Sequence, residues 1–277
     1  MMSISFIRSA GCRALALSLD LSLYCSFNDI RITTPLDSLY MNRVFVTGDL
    51  HGEHDIHKLS GANWKEGKTL DKNDYLIIAG DFGLIFNNVP TESEKYWLRW
   101  LDERPWTTLF VDGNHENFDR LFNDDLFPEK AMFDSKVRHI SESIFYLQRG
   151  YVYTIADRTF FTMGGAPSID KASRVSGESW WYQEEPSYTE WHYALVRAKQ
   201  VGSVDYLITH DTLPGIYDEL HKQNLLSFKL KNSVSEGLWA LDRHLQYKHA
   251  YSGHMHVDMT FPEYRWTILY NNIIELE

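Results

Sequence analysis

Five short clusters of Asp, Asn and His recur along the chain, and four of the five contain a glycine. They are Gly48-Asp49-Leu50-His51, Gly80-Asp81, Gly113-Asn114-His115-Glu116, Thr209-His210-Asp211 and Gly253-His254-Met255-His256. Carboxylate, amide and imidazole groups are donors that divalent metal ions bind, and no cysteine stands among them. The clusters therefore predict a metal-dependent hydrolytic site.

The number of donors favours two metal ions over one. Three residues offer oxygen and four offer imidazole nitrogen: Asp49, Asp81, Asn114, His51, His210, His254 and His256. One shared carboxylate would give each of two ions four protein ligands. It would hold the ions about 3.5–4 Å apart, with positions open for water and substrate. Mixed oxygen and nitrogen ligation favours manganese, with iron, zinc, cobalt or magnesium as alternatives.

The segments before the clusters predict that the donors lie at strand ends. Four clusters follow an apolar, β-branched or aromatic run, namely Val44–Val46, Leu76–Ala79, Leu109–Val111 and Tyr206–Ile208. Open α/β sheets have their active sites at such carboxyl ends. Asp49 and His51 are two residues apart, as are His254 and His256, and on a strand each pair would point to opposite faces. We therefore expect both pairs on turns, which the preceding glycines allow.

Strand-like and helix-like segments alternate after residue 40, which predicts a layered α/β fold with the sheets inside. Strands are predicted at Arg43–Thr47, Tyr75–Ala79, Thr108–Val111, Thr159–Met163, Tyr206–Thr209 and Arg265–Tyr270. Helices are predicted at Glu92–Glu103, Tyr188–Val201 and Ser235–Tyr247. Two segments, Phe118–Ser143 and Gly164–Ser187, show no regular pattern. We predict long loops there, and loops of that length are usually functional.

The spacing of the clusters favours one domain. They span Asp49 to His256, so a division of the chain would divide the donor set, and we expect a single domain over residues 41–277. Residues 1–40 differ, because a short apolar run is interrupted by Asp20 and followed by Ser- and Thr-rich sequence. We interpret them as a disordered or non-native extension, with Met41 as the natural start. The alternative is an organelle-targeting or membrane-surface segment.

Charge and composition limit the partners. The formal net charge of −11 argues against an extended nucleic-acid surface. Metal ions would nevertheless supply local positive charge for a phosphate substrate. Both cysteines lie in the first 25 residues, which excludes a disulfide framework in the predicted domain. No apolar run reaches 18 residues, so we predict no membrane span and a cytoplasmic location. The composition favours no particular oligomeric state.

The order and content of the clusters resemble the calcineurin-like metallophosphoesterase superfamily, over residues 43 to about 270. The matching pattern is D-x-H, G-D, G-N-H-[DE], H and G-H-x-H. The resemblance implies a four-layer α/β/β/α sandwich with the metal site at the carboxyl ends of the strands. It also implies one ion on Asp49, His51 and His256, a second on Asn114, His210 and His254, and Asp81 as the bridge.

The same resemblance implies phosphoester hydrolysis by in-line attack of a metal-bridging hydroxide. His115 would not bind metal but would face the substrate, where it stabilises phosphoryl oxygens or protonates the leaving group. The alternative is that His115 caps a helix. Glu116 would orient the loop or a histidine, or would act as a helix N-terminal carboxylate. Asp211 would support a ligand imidazole through its second nitrogen.

The substrate class stays open between several alternatives. Phe82-Gly83-Leu84 follow Asp81 where protein Ser/Thr phosphatases carry Asp-Arg-Gly. This favours a small-molecule or nucleotide phosphodiester or phosphomonoester over a phosphoprotein. A nuclease is a further alternative, and a non-catalytic metal-binding scaffold is the alternative from another class.

The loop after Gly164 supplies candidate substrate contacts, and its content is similar to bacterial and phage metallophosphoesterases. Lys171 and Arg174 could bind phosphate, while Trp180 and Trp181 could stack on a base. The alternative is that the basic residues are solvated and the tryptophans pack the loop onto the body or form a dimer contact.

Overall fold

Thirteen strands and five α-helices occur in residues 42–226 and 232–277, the part of the chain that the computed structural model describes. The strands are β1 (Val44–Thr47), β2 (Tyr75–Ala79), β3 (Thr107–Val111), β4 (Glu129–Met132), β5 (Ser135–Ser141), β6 (Ile144–Leu147), β7 (Val152–Ile155), β8 (Arg158–Met163), β9 (Tyr206–Thr209), β10 (His249–Ser252), β11 (Met259–Phe261), β12 (Trp266–Ile268) and β13 (Ile273–Glu275). The helices are α1 (Glu92–Asp102), α2 (Phe118–Leu121), α3 (Tyr188–Val201), α4 (Pro214–Lys222) and α5 (Ser233–Asp242). The extension predicted at residues 1–40 lies outside the described residues.

The first sheet has seven strands in the order β13-β1-β2-β3-β6-β5-β4. Its centre, β1, β2, β3 and β6, is parallel. Strand β13 joins one edge antiparallel to β1, and the β4–β5 hairpin forms the other edge. Parallel strands are covered on both faces, which explains why β1, β2 and β3 are almost continuously apolar.

The second sheet has six strands in the order β11-β12-β10-β9-β8-β7. Strands β8, β9, β10 and β12 are parallel to one another, while β7 pairs antiparallel with β8 at one edge and β11 pairs antiparallel with β12 at the other. The parallel centres of both sheets therefore each have one edge at which several strands end.

Alternate residues of each central strand face different layers. In β1 and β2, Val46 and Ile77 belong to the buried cluster shared by both sheets, whereas Phe45 and Ile78 pack toward Leu101 of α1. On the other side, the outer face of the second sheet packs against α3, α4 and α5. Side chains of a strand alternate between faces, so one strand serves two hydrophobic layers. The predicted four-layer α/β/β/α arrangement is confirmed.

The prediction for Phe118–Ser143 is wrong, because this segment contains α2 and the β4–β5 hairpin. The hairpin is a sheet edge with mostly exposed or half-buried residues, so it lacks the apolar run that revealed the central strands. The prediction for Gly164–Ser187 is confirmed, since this segment contains only two single 3₁₀ turns. No helix in the described residues is long and apolar enough to cross a membrane.

Candidate metal centre

The five clusters meet where the central strands of both sheets end. Asp49 follows β1, Asp81 follows β2 and Asn114 follows β3 in the first sheet, while His210 follows β9 and His254 follows β10 in the second. Each of these residues contributes an atom to contacts with at least one other cluster. The seven predicted donors are therefore brought to one place.

Several donors occupy left-handed backbone conformations. The φ angles are +45° at His51, +46° at Asp81, +66° at His254 and +51° at His256. Such a conformation costs a non-glycine residue about 1–2 kcal/mol, so surrounding contacts must hold it. One such contact is the Asp81 carbonyl, which accepts hydrogen bonds from the backbone N–H groups of Leu50 and His51, both at 2.9 Å. Both predicted pairs thus lie on turns, as their spacing required.

Glycines in two clusters make room for acids of other clusters. A Cβ atom on Gly113 would lie 2.1 Å from Asp81 Oδ1, and one on Gly253 would lie 2.0 Å from Asp49 Oδ1. Both distances are far shorter than carbon and oxygen tolerate. The glycines are therefore required by close approach between clusters.

Asp49 lies on one side of the centre and is fully buried. Its Oδ1 accepts a hydrogen bond from the backbone N–H of His254 at 3.0 Å, and its Oδ2 lies 3.3 Å from His256 Nε2. That Oδ2 atom has no hydrogen-bond partner among the described residues. Donor atoms of Asp49, His51 and His256 all lie within 4.8 Å of one another. The three residues therefore form a group that could hold a metal ion.

Asp81 lies between that group and a second one. Its Oδ2 is 3.2 Å from His51 Nε2, and its Oδ1 is 3.2 Å from His210 Nε2. Oδ1 also accepts hydrogen bonds from the backbone N–H groups of Asn114 and His115, at 2.8 and 2.9 Å. Burial opposes the charged form, but the facing imidazoles hold the pKa of Asp81 well below its usual range. Asp81, His210 and His254 form this second candidate group, and His51, Asp81 and His115 form a further one.

The far nitrogens of two imidazoles are fixed by acceptors. His51 Nδ1 lies 2.8 Å from Asp55 Oδ2, and His210 Nδ1 lies 2.8 Å from the carbonyl oxygen of Ala79. Each Nδ1 therefore carries a proton, and each Nε2 points at Asp81. If either ring is neutral, the lone pair of its Nε2 faces the negatively charged Asp81 carboxylate. This arrangement is repulsive unless a cation lies between the two groups.

The electrostatics of these two rings agree with that geometry. Burial disfavours the charged rings, but the Asp81 carboxylate raises the pKa of His51 to about 9 and that of His210 to about 10. Asp81 and the two imidazoles thus form a group that favours bound positive charge, which protons or metal ions can supply. Together with the unpartnered Asp49 oxygen, this donor set fits divalent cations.

Two residues near the centre were not assigned firm roles from the sequence. Asp55, four residues after His51, holds that ring by its second nitrogen. Lys58 donates to the carbonyl oxygens of Gly48, Asp49 and Tyr270 at 3.0, 2.7 and 2.5 Å, and burial lowers its pKa to about 8. The His-x-x-x-Asp spacing was a local signal for Asp55. Lys58 has no such signal, because its acceptors are backbone atoms.

His115 lies beside the predicted ligands with its side chain toward Arg174. The distance from His115 Nε2 to Arg174 Nη2 is 3.5 Å. Arg174 is itself held by Asp170, whose Oδ1 lies 2.8 Å from Nε, and by the carbonyl of Ser179. The cap of α2 is Asn117, whose side chain accepts from the N–H of Arg120, so His115 does not cap that helix.

A cavity of about 560 Å³ opens beside this group. Its wall includes the imidazoles of His51, His115 and His256 together with the aromatic rings of Phe86 and Tyr270. Burial lowers the pKa of His115. The arrangement offers a substrate access to the metal centre from one side, with an apolar surface for its organic part.

The two predicted orienting acids differ in what they hold. Glu116 is buried, and its carboxylate accepts from the backbone N–H groups of Phe82 and Gly83 at 2.7 and 3.2 Å, so it fixes the loop after Asp81. Burial raises the pKa of Glu116 well above its usual range. Asp211 instead accepts from Thr212 N–H and the Tyr217 hydroxyl, both at 2.7 Å.

The hydrogen bond predicted from Asp211 to a ligand imidazole is not present. Its second oxygen has no hydrogen-bond partner among the described residues. Asp55 and the Ala79 carbonyl hold imidazoles of the centre in that way instead.

The other candidate substrate contacts lie in the loop between β8 and α3, which also carries Arg174. Trp181 is 2 % exposed, donates to Asp119 Oδ2 at 3.0 Å and packs edge-on against Phe86. Its position matches the packing alternative. Lys171 lies over the ring of Trp180, 5.9 Å from its centre, near the protein surface. Of the four predicted substrate contacts, Arg174 is the one that contacts His115, beside the candidate metal centre.

Comparisons with known proteins give the family of this chain. The family model for calcineurin-like phosphoesterases matches residues 42–258. Among solved structures, a phosphopantetheinyl hydrolase from Mycobacterium tuberculosis has 14 % identity and a TM-score of 0.39, covering 83 % of this chain and 90 % of that one. A cold-active protein-tyrosine phosphatase of a psychrophile, Shewanella sp., has 14 % identity and a TM-score of 0.33, covering 86 % and 76 %. No curated protein matches. The chain belongs to the calcineurin-like phosphoesterase family and is a phosphoester hydrolase.

Proposed function

We propose that the enzyme uses two divalent metal ions, manganese foremost, which share Asp81. One ion would be held by Asp49, His51 and His256, and the other by Asn114, His210 and His254. The observation that carries this proposal is the position of Asp81, whose two carboxylate oxygens face imidazoles of the two groups at 3.2 Å each. A carboxylate placed in this way can bind both ions at once.

Metal ions bound there would lower the pKa of water and polarise the phosphoester. The chain's own task is to hold their ligands rigidly. Asp55 fixes the ring of His51 and the Ala79 carbonyl fixes that of His210, both through Nδ1. Outer contacts of this kind orient ligands and raise their basicity. Lys58 donates to the backbone carbonyls of Asp49 and Tyr270, and these hydrogen bonds hold the turn after β1 against the segment around Tyr270.

His115 and Arg174 would bind the phosphoryl group. The two side chains meet at 3.5 Å beside the metal centre, and a guanidinium can pair with two phosphate oxygens at once. In this enzyme the loop after β8 would supply the arginine that is missing after Asp81, where Phe82-Gly83-Leu84 stand. These two side chains would thus help to neutralise charge on the phosphoryl oxygens in the transition state.

The size and lining of the cavity support a proposal for the substrate class. Its volume of about 560 Å³ lies within the range of roughly 300–1,000 Å³ that is typical of small-molecule sites. Phe86 and Tyr270 offer aromatic surface to the organic part. A small-molecule or nucleotide phosphoester suits this cavity better than a folded phosphoprotein.

The experiment that tests this proposal measures Mn²⁺-supplemented hydrolysis of p-nitrophenyl phosphate and bis-p-nitrophenyl phosphate. Wild type should bind two Mn²⁺ per chain by elemental analysis. His115→Ala should keep both ions and lose about 10²–10⁴-fold in turnover. The matched control is His244→Ala, at an exposed position outside the site.

Equal activity of His115→Ala and His244→Ala would contradict the role of His115, and wild type without bound metal would contradict the whole proposal. Preference for the diester would assign a phosphodiesterase, and preference for the monoester a phosphatase.

A further inference from the structure

The long loop after β8 contacts the side chain of Asn114, a predicted metal ligand. Asn114 Nδ2 donates a hydrogen bond to Ser168 Oγ at 3.2 Å, while Asn114 Oδ1 lies 3.3 Å from His210 Nε2. Both Asn114 and Ser168 are buried, at 5 % and 3 % exposure. The loop therefore contacts the NH₂ group of the Asn114 side chain, and the carbonyl oxygen of that side chain faces the candidate metal centre.

The two ends of an asparagine amide have nearly the same shape but opposite chemistry. The carbonyl oxygen is an acceptor that can bind a cation, whereas the NH₂ group is a donor that cannot. A 180° rotation about the last side-chain bond would turn the NH₂ group of Asn114 toward the ions. Hydrogen-bond partners decide which orientation is stable.

Ser168 Oγ accepts the hydrogen bond of Asn114 Nδ2. The Glu184 carboxyl lies beside Ser168, and a carboxylate can accept the proton of the Ser168 hydroxyl in a hydrogen bond, which leaves an oxygen lone pair for Asn114 Nδ2. Glu184 is 1 % exposed, and it also accepts from the backbone N–H groups of Ser168 at 3.2 Å and Trp181 at 3.4 Å. Burial raises the pKa of Glu184 to about 7, and the three donors favour its charged, accepting form at pH 8.

We propose that Ser168 and Glu184 are positioning residues that fix the Asn114 amide with its carbonyl oxygen toward the metal centre. This inference rests on the proposed role of Asn114 as a ligand. Because Glu184 accepts from Ser168 and Trp181, it also joins the two ends of the segment that carries Arg174. The same hydrogen bonds therefore set a metal ligand and the arginine beside His115.

Calorimetric titration of the metal-free full chain with Mn²⁺ at pH 8 tests this inference. Wild type should bind two ions. Ser168→Ala should weaken one of the two sites by about 10–100-fold and leave the other nearly unchanged. Glu184→Gln should weaken the same site less, because the amide still accepts one hydrogen bond. The matched control is Ser173→Ala, which removes a hydroxyl of the same loop that donates to the carbonyl of Asp170.

A second comparison separates positioning from simple support of the fold. In the Asn114→Asp background both ends of the ligand are oxygens, so no orientation needs to be selected. Ser168→Ala should then change Mn²⁺ affinity by less than about 3-fold, although it removes the same hydroxyl. Thermal unfolding of each variant without metal verifies that it is folded, and Ser168→Thr, which keeps the hydroxyl, should retain the wild-type pattern.

Two results would overturn the inference while leaving the proposed function intact. One is wild-type affinity at both sites in Ser168→Ala. The other is equal weakening by Ser168→Ala in the Asn114 and Asn114→Asp backgrounds. Wild type that binds no Mn²⁺ would overturn the proposed function and this inference together.

Discussion

Two buried acids at neighbouring strand ends of the first sheet are neutralised in different ways. Asp112 follows β3, and its Oδ2 accepts from Arg149 Nη2 at 2.5 Å and from Nε at 2.9 Å. Its other oxygen accepts from the hydroxyl of Tyr146 at 2.8 Å. Asp81 follows β2 and has backbone N–H groups and the imidazoles of His51 and His210 around it.

The difference lies in whether the neutralising charge is permanent. Arginine stays protonated at every pH at which proteins fold, so Asp112 and Arg149 form a complete ion pair within the chain. The imidazoles of His51 and His210 can instead exchange a proton for a metal ion, because a neutral imidazole nitrogen binds divalent cations. Asp112, paired with a guanidinium, thus stabilises the fold. Asp81, surrounded by imidazoles, is suited to binding a metal ion.

The largest expected effect comes from removing the shared acid. Asp81→Asn should lower turnover on the order of 10³-fold and reduce the bound Mn²⁺ below two per chain, because an amide cannot bridge two ions. Metal-free stability should fall as well, because the Asp81 carboxylate is the buried partner of the His51 and His210 imidazoles. Kinetics with bis-p-nitrophenyl phosphate, elemental analysis and urea unfolding in a chelator measure the three quantities. Full metal-dependent turnover would defeat the assignment of Asp81.

Loss of the cation that pairs with the other acid should change stability alone. Arg149→Met leaves Asp112 buried without its cation, and a broken buried pair costs about 3–5 kcal/mol of unfolding free energy. The loss should be the same with and without chelator. Lys95→Met, at an exposed pair with Glu92, is the control and should cost less than about 1 kcal/mol. Urea unfolding measures the loss of unfolding free energy in each variant. Equal losses in Arg149→Met and Lys95→Met would contradict the structural role of the Asp112–Arg149 pair.

The smallest expected effect concerns the acid behind His51. Asp55→Asn keeps an acceptor for Nδ1 but removes the charge, so Mn²⁺ affinity should fall by about 10-fold. The exposed Asp157→Asn serves as control. Calorimetric titration with Mn²⁺ distinguishes the two. If Asp55→Asn bound both ions like wild type, the idea that outer acceptors tune the imidazoles would fail.

The sequence allowed the central strands and the meeting of the clusters to be predicted because both depend on local patterns. An apolar run that ends at an acid or a histidine is visible within about ten residues. The β4–β5 hairpin escaped detection because an exposed sheet edge has no apolar pattern. The pairing of Asp112 with Arg149 bridges 37 residues, and nothing near either residue indicates it.

The loop after β8 shows the same limit at the scale of single side chains. Trp181 and Arg174 were equally plausible substrate contacts from the sequence. One ring is buried against Phe86, while the guanidinium reaches His115. Which of them faces the site depends on how Glu184 folds the loop back on itself, and this contact has no counterpart in the spacing of the residues.

The left-handed turns at His51, Asp81, His254 and His256 determine when the ions can bind. An unfolded chain rarely visits these backbone conformations, and it would have to adopt them together across some two hundred residues. The candidate metal centre would therefore form only after both sheets have assembled. Metal ions would select and stabilise a finished fold, by about 2.7 kcal/mol at a hundred times their dissociation constant, and would not guide the chain toward it.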